Sequence, residues 1–137
     1  MFFQHKIEKA PGIQIKQSSL HGQGVFAKKD FLPGQVIETS PVILLKKEER
    51  ELLQGTVLFS YYFLIDKTVT PLAIGLGYSS LYNHAGYANA VYSVSLKKEL
   101  ITINAFKHIK TGEEITLNYN GHPEDESPVY FPSAIKI

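Results

Sequence analysis

The stretch SSLYNHAGYANA, residues 79–90, places Asn83, His84 and Asn89 in the most apolar part of the chain, with Tyr82, Tyr87 and Tyr92 around them. Asn and His cost free energy to bury unless their hydrogen bonds are met. The stretch is therefore either a surface turn between two strands or an inward-facing site. Its own composition does not choose.

The surrounding composition narrows the setting. The 137 residues suit one domain with one hydrophobic core, and 44% apolar with 12% aromatic residues fits an ordered globular chain. A net charge of +1 gives no electrostatic case for nucleic acid or a membrane surface as the main partner. The absence of cysteine excludes disulfides, thiol nucleophiles and cysteine-ligated metal sites. The N-terminal residues MFFQHKIEKAPG lack the apolar region of a signal peptide, and no apolar run approaches about 20 residues. The expectation is a cytoplasmic protein.

Reading outward from residues 79–90, short β-like runs dominate. IQIK (13–16) alternates apolar and polar residues, and GQGVFA (22–27) follows a glycine turn. FLPGQ (31–35) is a Pro-Gly turn, and VIETSPVILL (36–45) reads as extended, broken or bent at Pro41. Residues 46–54 read as a charged helix, with a strand expected beyond Gly55. NAVYSVSL (89–96) and ELITINAF (99–106) predict a hairpin around Lys97-Lys98, and ITLNY (115–119) a further strand. The fold class is mainly β, with one helix.

Taken singly, the motifs are weak. GQGVFA matches the dinucleotide fingerprint G-x-G-x-x-A, yet Pro33-Gly34 stops any helix that should follow. His5, His21, His84, His108 and His122 show no metal-ligand spacing, so no metal is expected. No G-x-S-x-G elbow is present. His84 alone reads as a satisfied core histidine, Tyr119 as a core aromatic, and Glu113-Glu114 as a solvated turn.

In combination they say more. HGQGVFAKKDFLPGQVI, LYNHAGYANA and IKTGEEITLNYNG occur in that order, from about His21 to Gly121. Together they resemble the SET-domain protein lysine methyltransferases: the family's G-x-G turn, its F-x-N-H-S-x-x-P-N signature and its G-E-E-L-x-x-D-Y segment. The resemblance implies a single domain over residues 1–137, a β-clip type of fold built from small curved β-sheets. A knot-like crossing follows, in which the C-terminal segment threads under the loop after the Asn-His motif. It implies S-adenosylmethionine as cofactor, held by Gly22, Gly24, Val25, Phe26, Asn83, His84 and Tyr119, with a Cβ at either glycine colliding with the ligand. Tyr119 is the implied catalytic residue, orienting and electrostatic rather than a base, since a phenol with a reference pKa near 10 stays protonated at neutral pH.

By the same resemblance Tyr92 lines the lysine channel, and the substrate is a protein or peptide presenting a lysine, histone-like or otherwise basic. The amine must lose its proton, which implies activity that rises into the alkaline range. Many members close the channel with cysteine-rich flanks, which this chain lacks. The tail 122–137, around Tyr130 and Phe131, or a second copy of the chain in a homodimer, is the candidate to close it instead. Ala85, Ala88 and Asn118 stand where the family has serine, proline and aspartate, and Ser40-Pro41 replace the usual tyrosine and glycine. The alternative is a non-catalytic module that keeps the fold to bind a peptide or partner.

Overall fold

The computed structural model describes residues 10–65 and 72–128. In chain order the strands are β1 (Ile13–Gln17), β2 (Gln23–Ala27), β3 (Val36–Leu45), β4 (Tyr62–Leu64), β5 (Leu72–Gly75), β6 (Asn83–His84), β7 (Ala90–Ser95), β8 (Leu100–Ala105) and β9 (Glu114–Leu117). They form two sheets, ordered β1-β2-β9-β6 and β4-β5-β3-β8-β7. Tyr130 and Phe131, the expected closing residues, lie outside the described residues.

The β-like runs 89–96 and 99–106 form paired strands of the larger sheet. Along β8, Ile101, Ile103 and Ala105 turn into the core, while Leu100, Thr102 and Asn104 are half-exposed. β7 and β8 pair from Ala90↔Ala105 to Ser95↔Leu100. The turn between them is not the two-residue Lys97-Lys98 link. It takes four residues, 96–99, and Glu99 closes it in a left-handed conformation (φ 53°).

Two other expectations change. Residues 36–45 form one unbroken strand through Pro41. The reason is an exchange of partners: β3 pairs with β8 up to Pro41 and with β5 from Val42 onward. The Pro41 carbonyl accepts from the Leu76 N–H at 3.0 Å, and the Leu76 carbonyl is met by the N–H and hydroxyl of Ser79. The missing proline N–H therefore leaves no acceptor stranded. Beyond Gly55, where a strand was expected, the chain first makes a 3-10 turn over Val57–Ser60 and only then β4. The short helix α1 (Lys47–Leu53) ends at Gly55 (φ +83°), and the Thr56 hydroxyl donates back to the Leu53 carbonyl. Phe59 and Tyr62 stack edge to face across the turn, so the aromatic residues that suggested a strand serve a tighter element.

In the smaller sheet β9 is central, antiparallel to β2 (Val25↔Ile115, Phe26↔Glu114) and parallel to β6 (Asn83↔Thr116, His84↔Leu117). Asn89 extends this pairing with its side chain, donating to the Glu114 carbonyl and accepting from the Thr116 N–H, both at 2.9 Å. The strand ends at Leu117, two residues short of the run ITLNY.

From Asn118 the chain turns back against the loop after the Asn-His motif. The Ala88 N–H donates to the Pro123 carbonyl at 3.0 Å. The buried Asn118 amide nitrogen lies 3.2 Å from the Gly86 carbonyl and 2.6 Å from that of Asp125, while its oxygen accepts from the Asn120 N–H. This explains one departure from the family pattern: an aspartate here would set an acceptor against carbonyls. We predict that Asn118→Asp destabilises the fold at neutral pH by about 2–3 kcal/mol. Such a carboxyl would have a raised pKa in the folded state, so the loss should shrink as pH falls. Urea unfolding across pH checks both.

Candidate active site

The pairing of β9 with β2 and β6 brings the three sequence motifs to one place. At its centre the Asn83 amide nitrogen lies 2.9 Å from the His21 carbonyl, 3.1 Å from the Gln23 carbonyl and 2.8 Å from Glu114 Oε1. An amide has two hydrogens, so this side chain is committed to holding the G-x-G turn against β9. Its carbonyl oxygen is the atom left to meet a ligand.

Glu114 was read with Glu113 as a solvated turn. Glu113 is exposed, but Glu114 is half-buried, and the Ser18 hydroxyl meets both of its oxygens at 2.9 and 2.8 Å. The Ser18 N–H in turn donates to the Gly22 carbonyl. The two glycines serve different ends. A Cβ on Gly24 would stand 2.1 Å from Glu114 Oε1 and 3.0 Å from the Asn83 amide nitrogen. A side chain at Gly24 would thus have to displace the Glu114 carboxylate from its place between Ser18 and Asn83. Gly22 has φ +47°, a left-handed conformation that favours glycine, and a Cβ there would point into open space. Val25 and Phe26 sit between β1 and β9, with Val25 fully buried.

Tyr119 lies just past β9, held at both ends. Its hydroxyl donates to the Tyr82 carbonyl at 2.6 Å, and its backbone N–H donates to His84 Nδ1 at 3.1 Å. The His84 and Tyr119 rings lie 5.2 Å apart. Burial, with smaller contributions from Tyr61 and Glu114, pushes the Tyr119 phenol up to about 12. It stays protonated across the neutral range. Tyr92, on β7, is half-buried with its ring edge-on to Phe63 at 4.8 Å, and burial raises its phenol too. Its hydroxyl would lie 3.8 Å from a Cβ on Gly121, two residues beyond Tyr119. Phe63, Tyr92 and Tyr119 all pack on one core cluster.

The sequence reading missed Ser18, Glu38 and the side chain of Tyr82. Glu38 and Tyr82 form a buried hydrogen-bonded pair 44 positions apart in the chain. No local pattern marks such a pair; a glutamate after Val36-Ile37 in the run VIETSPVILL is the one available sign. Among the described residues no group of three or more His, Asp or Glu is placed to hold a metal ion. No helix among them is long and apolar enough to cross a membrane.

This arrangement has close counterparts. Residues 22–120 match the SET domain family. Over 118 residues the chain is 34% identical to a Schizosaccharomyces pombe histone-lysine N-methyltransferase specific for H3 lysine 37, covering 84% of this chain and 79% of that protein. The crystal structure of a Plasmodium falciparum protein described as a candidate histone methyltransferase superposes with a TM-score of 0.65 at 27% identity, covering 79% of this chain and 92% of the other. A Chaetomium thermophilum Polycomb Repressive Complex 2 structure bound to S-adenosylmethionine gives 0.63 at 27% identity, over 79% of this chain but 15% of that one. The chain belongs to the SET-domain family of S-adenosylmethionine-dependent lysine methyltransferases.

His84 yields a pH prediction. Its Nδ1 must be unprotonated to accept from Tyr119, and burial lowers its pKa from the ordinary 6.5. The unfolded chain then binds the proton more readily than the folded one, so this contribution to stability is present above 6.5 and fades as pH falls through that value. Chemical denaturation from pH 8 to about pH 5 should show a fall in stability that His84→Gln reduces.

Proposed function

We propose that the site methylates the ε-amine of a lysine in a basic protein substrate, with the cofactor held between the G-x-G turn, the Asn83-His84 pair and Tyr119. The observation that carries this reading is the Tyr119 hydroxyl fixed on the Tyr82 carbonyl beside the Asn-His motif. The residues fit the group. The space beside Gly22 is open, and Asn83 has only a carbonyl oxygen to offer, which suits a positively charged amino group.

S-adenosylmethionine supplies a methyl group already activated on a sulfonium. The chain's residues then have to align the amine, exclude water and remove the obstacle of protonation. Tyr119 keeps its proton and donates it in a hydrogen bond to a backbone carbonyl, so it turns an oxygen lone pair to the reaction and does not act as a base. Phe63, Tyr92 and Tyr119 supply an aromatic wall that desolvates the incoming lysine and lowers its pKa from about 10.4. Val25 and Phe26 contribute backbone from inside the sheet.

A histone tail is the substrate that the S. pombe relative's specificity favours. A cytoplasmic site of action belongs to the same reading. So does completion of the channel by residues 122–137 or by a second copy in a homodimer. Calorimetry with S-adenosylmethionine, followed by radiolabelled transfer to histones, tests it. Wild type should bind and transfer, and Tyr119→Phe should bind comparably while losing roughly 100-fold in kcat. No binding at millimolar cofactor sinks the assignment, and full activity of Tyr119→Phe removes that residue from its role.

A further inference from the structure

Glu38 on β3 is 4% exposed and belongs to none of the three motifs. Both its oxygens are used. Oε2 accepts from the Tyr78 N–H at 2.8 Å and the Ser40 hydroxyl at 2.9 Å, and Oε1 accepts from the Tyr82 hydroxyl at 2.9 Å. Gly77, at φ +64°, makes room for it: a Cβ there would stand 2.7 Å from Oε2 and 2.5 Å from Ser40 Oγ. A buried carboxylate costs several kcal/mol of desolvation, and apolar packing would fill the same volume more cheaply. What the carboxylate does that an apolar residue could not is grip both ends of one turn. Tyr78 precedes the 3-10 turn Ser79–Leu81 and Tyr82 follows it.

Tyr82 is also the residue whose carbonyl receives the Tyr119 hydroxyl at 2.6 Å. Its side chain is anchored on one sheet through Glu38, and its backbone touches the tyrosine that follows β9 in the other. We infer that Glu38 is a positioning residue for methyl transfer: by holding the Tyr82 hydroxyl it fixes the carbonyl that orients the Tyr119 hydroxyl. This rests on the role proposed for Tyr119. The competing account is a brace that serves folding alone, and Ser40 separates the two. Ser40→Ala removes a donor from the same carboxylate, but from the oxygen that does not hold Tyr82.

The test uses the full chain labelled with ¹³Cζ-tyrosine and free of ligand, the Tyr119 signal being identified by its loss in Tyr119→Phe. Tyr82→Phe and Glu38→Gln should shift that signal, and Ser40→Ala should leave it in place. With saturating cofactor, Tyr82→Phe and Glu38→Gln should lower kcat by about tenfold or more with the cofactor KM within about twofold, and Ser40→Ala should retain kcat within about twofold. Tyr82→Phe keeps the ring in the core, so it carries the test alone if Glu38→Gln does not fold. An unmoved Tyr119 signal in Tyr82→Phe, or an equal loss of kcat in Ser40→Ala, overturns the inference. A wild-type protein that transfers no methyl group overturns the function instead, while the NMR arm still decides the coupling.

Discussion

Two residue pairs, Asn83 with Thr116 and His84 with Leu117, hold the site together. They are the parallel contact between β6 and β9, and a parallel pair cannot be made by a short turn. It needs the chain to travel through β7, β8 and the Gly112 turn before returning alongside the motif it left. Once β9 lies there, β2 pairs along its other side and the G-x-G turn is delivered to the Asn83 amide. Asn118 then ties the returning chain to the loop it passes. Without the two-pair contact the Asn-His motif would lose its backbone tie to β9.

A contact so short survives because side chains reinforce it. Asn89 supplies two hydrogen bonds to β9 as an added strand would, and Glu114 collects Ser18 and Asn83 across the sheet. Within the partly dry interior each such bond is stronger than in water, and each orphaned partner is costly. The polar residues that looked misplaced in SSLYNHAGYANA are therefore structural before they are chemical. Asn83 spends its hydrogens on the fold. His84 spends Nδ1 on the backbone of Tyr119.

The legible parts of the sequence were those with a local signature. Alternation marked β1, the β-like runs 89–96 and 99–106 marked β7 and β8, and glycine placement marked the turns. The ordered motifs pointed to the family. Reading failed where the deciding partner lay far along the chain. Pro41 reads as a break or a bend because its change of strand partner depends on β5 and β8. Glu114 was taken for a surface charge because Ser18, 96 positions away, is invisible to a local reading. The contact of Gly24 with the Glu114 carboxylate is equally invisible to a local reading, because the two lie 90 positions apart.

The pairing of β9 with β2 and β6 draws three distant segments to one place, the place proposed above for the cofactor. Backbone amide exchange with and without S-adenosylhomocysteine tests it most directly. The account predicts slowed exchange together in residues 20–24, 83–85 and 117–119, at a common ligand concentration. Slowing confined to one of these segments, or found only elsewhere in the chain, would contradict it.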